Sequence, residues 1–307
     1  MSKFVNGLLA IVMLAASAVA SARENVTILY GFGPSDTMMT YARAIAEEAN
    51  KSQSKYRFLV DAKPGAGNTV AANHVLNNPN HILFSSSAFF IRAQLFPESY
   101  KLSDFRELMP LCLGPLSINS VKYKSWKEVP TDRPLTVAVS GLGITTHLVA
   151  VQLSTTLPNI EAIPFKGPND SLIGTVNGTT DFGVSFIAES ESWSSADSKV
   201  RLNILGVTGS KPINGHPTLA QQGFDPNFNF LNVPHHWVVP KTISEEKFRE
   251  WRAILSKAAQ NNARLTEAFK ADSCQPIAIK DSELDSWYNE QINRWKALAS
   301  KVKIDNK

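Results

Sequence analysis

Val26-Thr27-Ile28-Leu29-Tyr30-Gly31-Phe32-Gly33-Pro34-Ser35-Asp36-Thr37 runs from a β-branched, apolar stretch through two glycines into a helix-like pattern. The apolar positions Met38, Tyr41, Ala42, Ile45, Ala46 and Ala49 mark one face of that helix, predicted over Thr37 to Asn50. Leu135 to Val139, followed by Ser140-Gly141-Leu142-Gly143 and a helix opening on Ile144, Thr145, Thr146 and His147, repeats the arrangement. Strand candidates at Tyr56 to Val60, His81 to Ser85, Ile160 to Ile163, Phe182 to Phe186 and Leu202 to Thr208 alternate with helices at Asn68 to Leu76, Thr145 to Leu157 and Asp170 to Val176. That alternation predicts α/β layers around largely parallel sheets. Ser244 to Lys301 reads as a long helical segment packed on one lobe, and the polar Ser190 to Ser198 stretch reads as a solvated loop.

The chain of 307 residues is too long for one ordinary core and fits two lobes. Residues 1–22, with Lys3, an apolar run from Leu8 to Val19 and small residues at Ala18, Ala20 and Ala22, predict a secretory signal peptide cleaved between Ala20 and Ala22. The apolar run is shorter than a membrane span of about 20 residues. A formal net charge of +4, evenly dispersed, gives no reason to expect a nucleic-acid partner. After export Cys112 and Cys274 would meet an oxidising compartment, and one disulfide and two buried thiols both fit the pattern. No metal-ligand spacing occurs, and His235 and His236, adjacent in an extended segment, point to opposite faces and do not share an ion.

Each glycine turn lets a ligand approach the backbone where unpaired amides and the positive end of a helix dipole face outward. Together the two make a clamp for a carboxylate. Tight strand-to-helix turns also need glycine and a hydroxyl or acidic cap when nothing binds, so neither loop alone establishes a site. Gly31-Phe32-Gly33 lacks the third glycine of a dinucleotide fingerprint, and no Gly-Lys-Ser/Thr follows either turn. Ser140 or Ser35 as the nucleophile of a secreted hydrolase is the alternative from another class, but no Gly-x-Ser-x-Gly turn supports it.

A third segment, Asp61-Ala62-Lys63-Pro64-Gly65-Ala66-Gly67-Asn68, resembles the N-K-P-G-A-G-G signature of the Bug/TctC family, the extracytoplasmic binding subunits of tripartite tricarboxylate transporters. The likeness continues in order through Tyr30 to Asp36 with Ala42-Arg43, Ser140 to Gly143 with His147-Leu148, Ile163 to Gly167, Asn177 to Asp181, Gly206 to Ser210 and Pro217 to Gly223. Asn68 replaces the family's usual second glycine, Asn78-Pro79-Asn80-His81 its Asp-Gly-Tyr-Thr, and the approach to Pro240 is altered at Pro234 to Val239.

The resemblance implies a two-lobe periplasmic-binding-protein, or Venus-flytrap, fold with two interlobe crossings, near Leu111 to Ser117 and Asp225 to Val233. Lobe 1 would be 23–114 plus 230–307, and lobe 2 would be 115–229. The implied activity is non-catalytic capture of a small organic carboxylate in the periplasm by a monomer, without cofactor or metal, and delivery to membrane transporter subunits. An orphan sensing module is the alternative role. The implied contacts are Phe32, Gly33, Ser35 and Asp36 from one lobe and Ser140, Gly143, Ile144, Thr145 and Thr146 from the other. Ser86 and Ser87 at the end of the His81 strand, with Phe165 and Lys166, complete the expected site. Asp36 beside an anion costs Coulomb energy, which an N-cap role avoids.

Overall fold

The computed structural model describes residues 23–34, 38–195 and 200–302. The expected leader at 1–22 lies outside the described residues, as do Ser35 and Asp36. The first sheet is built on β1 (Glu24–Tyr30), which pairs in parallel with β2 (Tyr56–Ala62) and β3 (His81–Ser85). Val26 and Ile28 face one side of β1 and Leu29 the other, and all are buried, as a strand covered on both faces requires. Between these strands run α1 (Met38–Ser52) and α2 (Thr69–Leu76).

Two long strands extend this sheet in the opposite sense. β10 (Val233–Pro240) lies antiparallel between β3 and β4 (Phe105–Gly114), and β11 (Gln275–Pro276) borders β4. The order is β11-β4-β10-β3-β1-β2. In the second sheet β6 (Leu135–Val139) pairs in parallel with β7 (Ile160–Pro164) and β8 (Phe182–Phe186), while β5 (Leu116–Ser120) lies antiparallel to β8 and β9 (Asn203–Val207). Its order is β7-β6-β8-β5-β9. Each sheet is therefore mixed, parallel where strands alternate with helices and antiparallel where the crossing strands enter. The two-lobe α/β expectation holds; the largely parallel sheets do not.

Pro115 alone separates β4 from β5, so the chain changes sheets across one residue. The return passes through short 3-10 turns at Ala220–Gln222 and Pro226–Phe230 before β10. Helices α3 (Ser87–Leu95), α4 (Thr145–Leu153), α5 (Pro168–Val176) and α6 (Ile187–Ser194) follow β3, β6, β7 and β8. Helix α6 corrects the reading of Ser190 to Ser198 as a loop as far as Ser194, while 196–198 lie outside the described residues: Ser190 is fully buried, and its hydroxyl lies 2.7 Å from that of Ser117 and 2.6 Å from that of Ser185. Buried hydroxyl partners replaced the apolar periodicity that would have announced a helix.

The C-terminal segment forms α7 (Glu245–Ala259), α8 (Ala263–Ala271) and α9 (Leu284–Ala299). Helices α7 and α8 pack on α1, and α9 packs on α3 and β4. Trp251 and Trp295 are completely buried in these contacts. Cys112 on β4 and Cys274 before β11 form a disulfide with Cα atoms 5.6 Å apart, which settles the choice left open by the sequence and ties the C-terminal helices to the sheet. On the opposite face of β10, His236 Nδ1 lies 2.8 Å from Glu107 Oε2, and both side chains are fully buried. Burial pushes the Glu107 carboxyl up from its ordinary value, against the opposing pull of His236.

In the second lobe Asp181, at the mouth of β8, is buried and accepts hydrogen bonds from Arg133 at 2.8 Å, Lys122 at 3.1 Å and the Thr136 amide at 3.0 Å. Burial would raise its pKa, but Arg133, Lys122 and Thr136 together hold it well below the ordinary carboxylate range. The stability this supplies is present above the unfolded-state value of about 4 and is lost as pH falls through the lower folded value. Asp181→Asn is expected to lower unfolding free energy by about 2 kcal/mol at pH 7, with the difference from wild type shrinking below pH 4. Urea denaturation at both pH values checks it. Cys112→Ser is expected to cost about 3 kcal/mol, read as a lower urea midpoint, because the cross-link closes a long loop.

Candidate functional site

The parallel strands of both sheets end at one cleft. Six loops follow their carboxyl ends, after β1, β2 and β3 on one side and after β6, β7 and β8 on the other, the usual location for ligands in open α/β sheets. The cleft has a volume of about 750 Å³ and is lined by residues of all these loops except that after β3. The β3 loop contributes Ser86 and Ala88 to a smaller recess of about 70 Å³ that shares Phe32, Ser140, Ile144 and His235 with the main cleft.

The rim on the first lobe is set by a lock between three segments. Asn68 is completely buried at the start of α2 with φ of 85°, and Gly65, Ala66 and Gly67 before it also have positive φ. Asparagine tolerates this left-handed conformation, which explains why it can stand where the resembling family has glycine. Its side-chain amide donates to Ser85 Oγ at the end of β3. A Cβ on Gly31 would lie 1.6 Å from Asn68 Oδ1, so glycine at 31 is what lets the loops after β1 and β2 meet.

The lining is mostly backbone and rings. Seven of the residues around the main cleft are glycines, among them Gly31, Gly33, Gly67, Gly141 and Gly167. Phe32, Phe165 and Phe186 supply apolar walls. The first residues of α4, α5 and α6 also line the cleft or its recess, as Thr145 and Thr146, Pro168 to Asp170, and Ala188 and Glu189. First-turn amides have no acceptor within their own helix, and each helix start carries about half a positive charge. Side-chain charge points the other way. The lining carries Lys166 and the acids Asp170, Glu189 and Asp272, and Asp272 accepts a hydrogen bond from Tyr41.

Of the residues singled out from the sequence, Phe32, Gly33, Ser140, Ile144, Phe165 and Lys166 line the main cleft, and Ser86, Thr145 and Thr146 line the recess. Two are placed differently. Gly143 is buried against the first lobe, where a Cβ would meet Leu95 at 3.3 Å and Phe96 at 3.4 Å. Its amide donates to His147 Nδ1 at 3.2 Å, so it is not a donor for a ligand. Burial lowers the His147 pKa, as suits a neutral ring that accepts at Nδ1. Ser87, also buried, is hydrogen-bonded through its hydroxyl to Thr145 of the opposite lobe and acts as an interlobe latch. The Ser140 amide is likewise taken, by Thr146 Oγ1 at 3.0 Å, although the residue lines the cleft.

Sequence reasoning missed Gly167 to Asp170, Ala188, Glu189, His235 and Asp272. The turn after β7 was visible as Phe165-Lys166-Gly167, and only its reach was underestimated. The β8 turn carries no glycine, and His235 and Asp272 arrive from remote strands, so no local signal announced them.

No protein-family model and no curated protein matches the chain. Solved structures do. A TctC solute-binding protein from Polaromonas, without ligand, is 17% identical, with 93% of this chain and 100% of that one covered and a TM-score of 0.67. The periplasmic binding protein BugD is 19% identical, with 91% and 97% covered and a TM-score of 0.76. MatC from Rhodopseudomonas palustris, with bound malate, is 19% identical, with 90% and 99% covered and a TM-score of 0.73. The structural neighbours are thus TctC and Bug proteins, and the chain has their fold, two α/β lobes of the periplasmic-binding-protein type.

Proposed function

We propose that the chain is an exported member of the Bug/TctC group, which captures a small carboxylate-bearing solute between its lobes and delivers it to a membrane transporter. The carrying observation is the convergence of helix starts and glycine-rich turns from both lobes on one cleft of about 750 Å³. Such a surface offers amide donors and fixed dipoles to an anion at close range. The acids in the lining mean that general positive charge is not the attraction. Malate bound to MatC, a protein of the same fold, supports a carboxylate as the class of ligand.

Closure follows from the same geometry. A ligand that bonds to donors on both lobes favours the conformation in which they are near, and a closed surface is what a membrane partner would read. Hydrolysis at Ser140 has no support, because His147, the imidazole on the adjoining helix, is committed to Gly143.

In a thermal-shift screen, carboxylic acids are expected to raise the melting midpoint, while neutral sugars and metal cations leave it unchanged. Shifts from sugars or cations alone would contradict the proposal. Gly33 and Gly167 supply a sharper check. Both line the cleft, neither has positive φ, and a Cβ at either would meet no described atom within 4 Å. Gly167→Leu is expected to leave stability within about 0.5 kcal/mol of wild type while weakening acid binding roughly tenfold. Lys166→Ala is expected to weaken it less, since Lys166 is exposed. Calorimetric titration of the two variants ranks them, and the reverse order would move recognition from backbone to salt bridge.

A further inference from the structure

His235 sits on β10 where the chain re-enters the first lobe, and it contributes to the floor of both the main cleft and the recess. It is 2% exposed. A Cβ on Gly114 would lie 3.1 Å from its Nε2, so the ring is pressed against the crossing between the lobes. The rings of Tyr41, Phe84 and Phe186 surround it at centroid distances of 6.3, 6.4 and 5.8 Å.

Neither ring nitrogen of His235 has a hydrogen-bond partner among the described residues. Its neighbour differs in having one nitrogen engaged: His236, on the other face, pairs through Nδ1 with Glu107 and stacks on Phe90, and only its Nε2 lacks a partner among the described residues. Buried polar groups are as a rule satisfied by protein, ordered water or ligand, and the His235 ring borders the cleft although its nitrogens expose almost no surface. Burial, aided by the adjacent His236, pushes the His235 pKa down to about 3. The ring is therefore neutral at pH 7, with one N–H to donate and one lone pair to accept. Among the described residues lining the recess there is no cation for a second carboxylate, and Glu189 lines it.

We propose that His235 is a specificity-determining residue of the cleft, which selects solutes carrying an uncharged hydrogen-bonding group, a hydroxyl, ketone or carboxamide, in addition to their carboxylate. The inference rests on the carboxylate reading above. The carboxylate engages the helix starts and glycine turns, and the neutral group reaches the floor between the three aromatic rings. A hydroxyl or carboxamide can pair with either the donor or the acceptor nitrogen of the imidazole; a methyl end pairs with neither, and a second carboxylate could accept only from the N–H, beside Glu189 and without a cation to offset its charge.

The test is calorimetric titration at pH 7 with hexanoate, 6-hydroxyhexanoate, adipic acid monoamide and adipate. The hydroxy acid and the half-amide are expected to bind about fivefold or more tighter than hexanoate and adipate. His235→Phe, which keeps a ring and removes both nitrogens, is expected to erase that preference while hexanoate affinity stays within about twofold. His235→Gln, with one donor and one acceptor group, is expected to retain part of it. Adipate as the tightest wild-type ligand, or a preference that survives in His235→Phe, would overturn the inference. Should the phenylalanine variant fail to fold, the wild-type ranking and the glutamine variant decide. Binding of the acids without a His235-dependent preference defeats this inference alone, whereas no binding of any acid defeats the carboxylate reading and this one with it.

Discussion

Everything in this molecule is arranged around the passage from β4 to β5 across the single residue Pro115. Two sheets joined so closely cannot separate far, and their facing loops are held at the distance of a small molecule. Gly114 makes the passage possible, because a Cβ there would lie 2.9 Å from Phe186 of the second lobe and 3.1 Å from His235 of the first. The second crossing returns beside the first through β10, so that both strands crossing the boundary lie next to each other in one sheet. Bending at this pair would change the width of the cleft with little change inside either lobe. The hydrogen bond between Ser87 and Thr145, that from Asn214 to Ser273 at 3.1 Å and that from Lys301 to Gln152 at 3.4 Å span the boundary and are among the contacts such a motion would break or keep.

The chemistry of the cleft follows from which parts of the chain reach it. Carboxyl ends of parallel strands bring turns and helix starts, and these bring main-chain amides, which is why the proposed recognition is assigned to the backbone. Glycines keep that backbone uncovered. Side chains add aromatic walls from Phe32, Phe165 and Phe186, and the acids Asp170, Glu189 and Asp272 among the lining. The same disposition gives His235 its character, since a ring pressed into the hinge and shielded from water stays neutral.

Much of this was legible in the sequence. Strand, glycine turn and helix at Val26 to Asn50 and at Leu135 to Leu157 carry local signals, because turn geometry and apolar periodicity are properties of adjacent residues. What could not be read was what distant segments bring together. β10 gave no sign that it would lie between β3 and β4, and Cys274 none that it would meet Cys112 across 162 positions. Gly143 was misjudged for a related reason. Its motif is that of a ligand turn, but its amide is satisfied by His147 four residues on and its face is covered by α3. Ser35 and Asp36 lie outside the described residues, and Asp36 as an N-cap stays an expectation from the sequence.

The account stands or falls on where a bound acid places its carboxylate. A crystal structure of the chain grown with a monocarboxylate such as 6-hydroxyhexanoate measures that directly. The account predicts carboxylate oxygens within hydrogen-bonding distance of main-chain amides from both lobes, in the turns after β1 or β2 and at the starts of α4 or α5. A carboxylate held by Lys166 Nζ without main-chain donors, or one bound outside the cleft, would contradict it.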